Sequence, residues 1–240
     1  MAPHPQSSPP VIANFPSQHL TIGCGVAIFH VASERVVLCY HSRDKYWFLP
    51  KGRRDAGEET ARAAEREGFE ESGYRNRLLP ISIPHRQPRP HAPSPGAAPH
   101  TLFATEPVWT QLIPQSARTQ YILFWYIAET LPPDVEASMR VPSGEAAAGE
   151  ELAPAQQPYV APPPYPADLL LSERVKMDGD AYVPPRHEGT GVDEEEALYE
   201  SYLLPVREAQ AKLRGSVMAD VVKKGWQGIV ERLEYESATC

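Results

Sequence analysis

The chain has 240 residues, 42% of them hydrophobic, which is enough for one substantial core. A formal charge of -8 and a pI near 5.5 argue against general binding to nucleic acid or an anionic membrane, and no apolar run approaches the roughly 18 residues of a membrane span. Three cysteines, Cys24, Cys39 and Cys240, stand in no metal-ligand spacing, so neither a disulfide framework nor a zinc site is expected and a reducing compartment, cytoplasmic or nuclear, is favoured.

The 27 prolines are clustered, with five in residues 1–16, seven in 80–99 and nine in 132–166. Such densities exclude helices and central strands, so residues 1–18 read as a flexible leader and two proline-rich insertions fall at about 84–101 and 131–192. These segments are candidates for binding proteins through extended polyproline conformations. The expected organisation is a single domain over 19–235, interrupted by the insertions and followed by a tail at 236–240.

In chain order, residues 21–30 and 35–41 are rich in Val, Ile, Phe and Tyr and read as two strands joined by the Ala32-Ser33-Glu34 turn. Residues 46–49 form a third short strand leading into a turn at Pro50-Lys51-Gly52. Residues 58–72, alanine-rich and free of proline, predict a helix that Gly73 stops. A strand over 75–83 follows, then an Arg- and His-bearing loop over 85–100. Residues 120–129 are a continuous apolar run suited to the middle of a buried sheet. Residues 131–168 read as mobile, residues 169–191 as irregular and 193–199 as a short helix. Two helices follow over 206–213 and 217–233, the second with an apolar stripe of Val217, Val221, Val222, Ile229 and Leu233.

On the first helix Glu67, Glu70 and Glu71 stand at i, i+3 and i+4, so their carboxylates share one face. Three clustered like charges call for a cation among them. A hard divalent ion such as Mg2+, with Mn2+ as a substitute, suits oxygen ligands and bridges to phosphate. Arg66 supplies an internal counter-charge whose planar fork can orient Glu58 or Glu67. Lys51 is a point charge for phosphate, and Gly52 lets the backbone approach closely. The full pattern reads Gly52, five residues, Glu58, seven residues, Arg66-Glu67, two residues, Glu70-Glu71, one residue, Gly73.

That pattern resembles the Nudix box at every charged and glycine position, and the likeness extends over about 20–130 and 200–235. The resemblance implies a mixed sheet between helices, an α/β/α sandwich, and a pyrophosphohydrolase. It also implies Glu67, Glu70 and Glu71 as metal ligands, joined by the backbone around Lys51 and Gly52. Glu67 would double as a base, and Glu58 with Arg66 would form the orienting pair. One position departs: Gly68 stands where the family usually has a larger aliphatic residue, which reads as looseness or close packing. A further carboxylate ligand is expected from Glu129, Glu150, Glu151 or the run 193–196.

Trp47-Phe48-Leu49-Pro50-Lys51-Gly52, with Phe69 before the paired glutamates, resembles the subgroup acting on diadenosine polyphosphates and diphosphoinositol polyphosphates. Such anionic substrates need cations, and Lys51, Arg53, Arg54, Arg43 and Lys45 flank the box. His85, Arg86, Arg89 and His91 could close over the site as a lid or stay solvated. The rival readings are hydrolysis of a nucleoside triphosphate or an RNA cap, and a catalytically weak domain that senses a ligand or acts as a scaffold. Cys24 and Cys39 read as small core residues rather than nucleophiles.

Overall fold

A computed structural model describes residues 7–88, 102–139, 158–179, 181–191 and 193–239. Its elements are β1 (Leu20–His30), β2 (Arg35–His41), β3 (Tyr46–Phe48), β4 (Lys51–Arg53), α1 (Thr60–Ser72), β5 (Asn76–Leu78), β6 (Trp109–Pro114), β7 (Gln120–Thr130), α2 (Pro133–Ser138), α3 (Leu171–Met177), β8 (Tyr199–Pro205), α4 (Val206–Lys212) and α5 (Val217–Thr239).

The sheet runs β3-β2-β1-β7-β5, with β4 on β1, β6 on β7 and β8 on β2. Strands β1 and β7 pair in parallel from Leu20↔Gln120 to Phe29↔Glu129, while the other pairs are antiparallel. Side chains alternate along β1 and so feed two cores. Cys24, Val26 and Ile28 pack with Ala63 and Ala64 of α1, whereas Ala27 and Phe29 pack with Val221, Val222 and Ile229 of α5. The architecture is therefore a mixed sheet between helical layers, as the sequence pattern implied.

Several boundaries differ from expectation. Helix α1 begins at Thr60 rather than at 58, because the Glu58 carboxylate folds back to accept from the Asp55 N–H at 3.0 Å. The strand expected over 75–83 is only β5, since Pro80 has no N–H to pair; Ile81 makes one isolated bridge with Ala104. Strand β6 was not anticipated. The helix expected over 193–199 is a single 3-10 turn at Glu196–Leu198, and β8 starts at Tyr199.

The stretch read as mobile, 131–168, holds helix α2 and reaches the core at Tyr165, although most of its described residues over 158–168 are exposed. Tyr165 lies in the larger core cluster, with the Arg232 guanidinium 4.9 Å from its ring centroid. Helix α5 continues through the expected tail, because buried Glu236 accepts from the backbone N–H of Leu171 (2.9 Å) and Ser172 (3.0 Å) and from Arg232 Nε (2.7 Å). That carboxylate caps the start of α3, which links the end of the chain to the second insertion.

Candidate active site

Helix α1 crosses the sheet above β1 and lays its acidic face against the β4 turn. Two glycines permit that approach. A Cβ on Gly52 would lie 1.9 Å from Glu67 Oε2, and a Cβ on Gly68 would meet Asn76 Nδ2 at 2.7 Å and Val26 Cγ1 at 2.8 Å. Of the two readings of Gly68, the packing geometry is the close one. Gly73 ends the helix at φ 74°, its N–H returning to Phe69 O at 2.7 Å.

Arg66 sits at the centre of the acids. Its Nε and Nη2 hold the two oxygens of Glu58, each at 2.9 Å, while Nη1 donates to Glu67 Oε1 at 2.9 Å and Glu70 Oε2 at 2.7 Å. Nη2 also reaches Arg53 O at 3.0 Å, tying the helix to the end of β4. Glu71 accepts from the Lys51 N–H at 2.7 Å. The sequence-derived set Glu58, Arg66, Glu67, Glu70, Glu71, Lys51 and Gly52 thus converges on one place.

One arginine leaves the cluster short of positive charge. Burial raises Glu67 to about 7, with Arg66 opposing and Glu70 and Glu196 adding to the rise. Burial likewise raises Glu71 to about 8 against the pull of Lys51. Glu70 is also raised, chiefly by burial. Glu58 moves the other way: burial pushes it up, but the Arg66 fork and the Asp55 N–H more than compensate. Buried carboxylates offering only oxygen donors, beside a backbone turn with no Cβ in the way, fit a hard divalent cation. The Gly52 carbonyl accepts from Tyr121 Oη at 3.1 Å, and a carbonyl oxygen has a second lone pair.

Among the described residues the tightest group of ligand-type atoms lies elsewhere, at His41, Asp44 and Glu195. It is already neutralised. Arg43 Nη2 holds both oxygens of Glu195 at 2.9 and 3.0 Å, Arg43 Nε reaches Asp44 at 3.3 Å, and His41 Nε2 lies 2.9 Å from Glu195. We therefore read it as a clasp between the β2–β3 turn and the segment before β8.

The flanking cations are divided by this arrangement. Arg43 is engaged in the clasp. Lys45 lies over the Tyr40 ring at 5.9 Å, and Arg54 Nη1 donates to Glu58 O at 2.6 Å. Arg53 is exposed, and Lys51 Nζ stands 6.0 Å from the Phe48 ring beside the acids. Glu129 is remote in its bonding: it is buried between Arg77 Nε (2.7 Å) and Arg174 Nε (3.0 Å). Glu150, Glu151, Arg89 and His91 lie outside the described residues, and His85 and Arg86 are exposed. Cys24 and Cys39 are buried and free, with burial pushing the Cys24 thiol up to about 12, as suits packing rather than attack.

A wall that sequence reasoning missed stands beyond the end of α1. His187 N–H donates to Gly73 O (2.8 Å), Thr190 Oγ1 to Glu70 O (2.9 Å) and Ser201 Oγ to Ser72 O (2.5 Å). Between wall and helix is a cavity of about 300 Å³ lined by Glu70, Glu71, Arg186, Thr190, Glu196 and Tyr199, among others. Thr190 and Glu70 are 120 positions apart, so no local pattern announces their contact. Beside the cavity, Tyr199 packs edge-on against Phe48 at 4.9 Å, and Tyr46, 47% exposed, lies 5.5 Å from Phe48.

A NUDIX domain family model matches residues 21–162. Solved structures similar to this chain include a MutT NUDIX hydrolase from Burkholderia pseudomallei, 22% identical over 46% of this chain and 67% of that one, TM-score 0.30. Another is a NUDIX hydrolase from Nitrosomonas europaea, 13% identical over 87% and 89%, TM-score 0.41. A third is an Ap4A hydrolase from C. elegans, 11% identical over 85% and 93%, TM-score 0.38. No curated protein matches the sequence. Among the described residues no helix is long and apolar enough to cross a membrane.

Proposed function

Because the chain belongs to the Nudix family, whose domain model spans more than half of it, we propose that it is a Mg2+-dependent pyrophosphohydrolase for a polyphosphate-bridged small molecule, a diadenosine polyphosphate or a diphosphoinositol polyphosphate. The observation that carries this reading is the convergence of Glu67, Glu70 and Glu71 on the Lys51–Gly52 turn, with Arg66 forked onto Glu58 behind them. When bound, a divalent cation neutralises phosphoryl oxygens and makes water a stronger nucleophile near neutral pH.

The residues divide the remaining work. Glu67, buried against the Lys51–Gly52 turn and held by Arg66, is the carboxylate placed to take a proton from attacking water. Arg66 positions the carboxylates and, through Arg53 O, fixes the helix against the turn. Lys51 and exposed Arg53 present cations to the phosphate chain, where fixed positive charge is worth more than in bulk water. Tyr46, about half-exposed and backed by buried Phe48, offers an aromatic surface near Lys51. A stacking surface supports the dinucleoside class over the inositol class, whose ring has no π face.

The test is product release by the full chain with Mg2+, measured on diadenosine polyphosphates, diphosphoinositol polyphosphates, nucleoside triphosphates, ADP-ribose and capped RNA. Turnover at least tenfold faster on a diadenosine polyphosphate supports the proposal in its sharper form. Turnover confined to nucleoside triphosphates or capped RNA overturns the substrate class. Silence on every compound moves the reading to a ligand sensor or scaffold.

A further inference from the structure

The wall beyond α1 is bonded to the part of that helix that cannot bond itself. An α-helix leaves the carbonyls of its last turn without intrahelical partners, and the negative end of its dipole lies there. In α1 this turn carries Glu70 and Glu71, so two carboxylates stand where the backbone already presents negative charge. Left to itself, such a turn frays first.

Each open carbonyl is met by a donor from another segment. Thr190 Oγ1 donates to Glu70 O at 2.9 Å, Cys39 Sγ approaches Glu71 O at 3.6 Å, Ser201 Oγ donates to Ser72 O at 2.5 Å and the His187 N–H donates to Gly73 O at 2.8 Å. The wall also lies flat against the helix end: a Cβ on Gly73 would fall 2.2 Å from His187 O. The glycine that stops α1 is therefore also what admits the wall. The wall is fastened in turn, since His187 Nε2 lies 2.8 Å from Glu136 Oε1, which accepts from Arg75 Nη1 at 2.6 Å, and Arg186 Nε donates to Ser201 Oγ at 2.7 Å. Thr190 itself is buried, so water cannot readily replace its hydroxyl on Glu70 O.

We propose that Thr190 is a positioning residue of the hydrolase: through Glu70 O, and with Ser201 and His187 on the neighbouring carbonyls, it fixes the last turn of α1 so that the Glu70 and Glu71 side chains keep the spacing a divalent cation requires. This rests on the hydrolase reading above and deepens it. A segment that reads in sequence as an irregular insertion thereby helps to build the site while touching neither metal nor substrate. Its hold is on the backbone, which is why the partner of Thr190 is a carbonyl and not a carboxylate.

Mn2+ titrated calorimetrically into the full chain, together with kcat and KM for Mg2+-dependent cleavage of the preferred substrate, tests this in wild type, Thr190→Val, Thr190→Ser, Ile229→Val and Glu70→Gln, with thermal unfolding run alongside. Thr190→Val keeps the shape but removes the donor; it is expected to weaken Mn2+ binding ~10-fold and lower kcat ~10-fold with KM within about twofold. Thr190→Ser, which restores the donor, should recover both to within about twofold of wild type. Ile229→Val, in the core on the other face of the sheet, lowers the melting temperature without touching α1 and should leave Mn2+ affinity and kcat within about twofold. If Thr190→Val behaves like Ile229→Val while Glu70→Gln loses binding and turnover, Thr190 is only structural, the inference fails and the hydrolase reading stands. If Glu70→Gln also keeps both, the hydrolase site fails with it. A Thr190→Ser protein no better than Thr190→Val overturns the role given to the hydrogen bond. Should Thr190→Val fail to fold, Ser201→Ala removes the donor to Ser72 O, and unchanged Mn2+ affinity and kcat there overturn the inference.

Discussion

Gly52 and Glu67 approach so closely that a single added methyl carbon would fall 1.9 Å from a carboxylate oxygen. The glycine of the signature is thus a steric condition on the acid fifteen positions later, because β4 and α1 must touch for the cluster to form. Gly52→Ala should displace Glu67 and lower turnover by at least ~100-fold while costing about 1–3 kcal/mol in stability. Steady-state kinetics with a denaturant titration checks both; full activity would mean that the contact is not needed.

Gly68 gives the opposite sign to propensity. In an exposed helix Gly→Ala gains about 1 kcal/mol. Here the new Cβ meets Val26 Cγ1 and Asn76 Nδ2, and Asn76 is bonded to Glu65 O at 3.0 Å and Tyr74 O at 3.2 Å. Gly68→Ala is therefore expected to destabilise by about 1–3 kcal/mol in urea unfolding. A gain of stability would show that the helix is loosely seated.

The raised acids make a pH statement about the metal-free protein. Glu67 at about 7 and Glu71 at about 8 bind protons more tightly folded than unfolded, so their contribution is fully present below the unfolded value near 4.5 and is lost as pH rises through 7 to 8. In EDTA, Glu71→Gln should gain melting temperature relative to wild type between pH 5 and 9, and Mn2+ should reverse the ranking at pH 8. A difference in melting temperature that does not change with pH would contradict the assigned burial.

Glu129 separates a structural acid from a functional one. Glu129→Gln leaves Arg77 and Arg174 buried without their counter-charge, a change that typically costs about 3–5 kcal/mol. Mn2+ affinity, measured below the variant's melting temperature, is expected to be unchanged. Weakened Mn2+ binding in a folded Glu129→Gln protein would return this residue to the metal shell.

The sequence made the box legible because its chemistry is local: the i, i+3, i+4 spacing of Glu67, Glu70 and Glu71 becomes a shared face as soon as residues 60–72 coil. Strand β1 was legible from its β-branched and aromatic content alone, whereas the two cores that it feeds appear only once the helices are placed. The contacts it could not express are long-range. Glu195 meets His41 across 154 positions and Thr190 meets Glu70 across 120, and neither pair leaves a periodicity to read. Proline density misled at Tyr165, where irregular backbone is fastened to the core by an aromatic ring and Arg232 rather than by a ladder of hydrogen bonds. The flanking cations, alike in sequence, differ in their surroundings: Arg43 and Arg54 are bonded within the fold and Arg53 is exposed.

The most direct test of the central claim is kcat for Mg2+-dependent cleavage of the preferred substrate by wild type and Glu70→Gln, matched for melting temperature. Glu70 carries a carboxylate that Arg66 holds at 2.7 Å, and removing its charge should lower kcat by at least ~100-fold without comparable change in KM. Equal kcat in the two proteins would contradict the assignment of this cluster as the catalytic metal site.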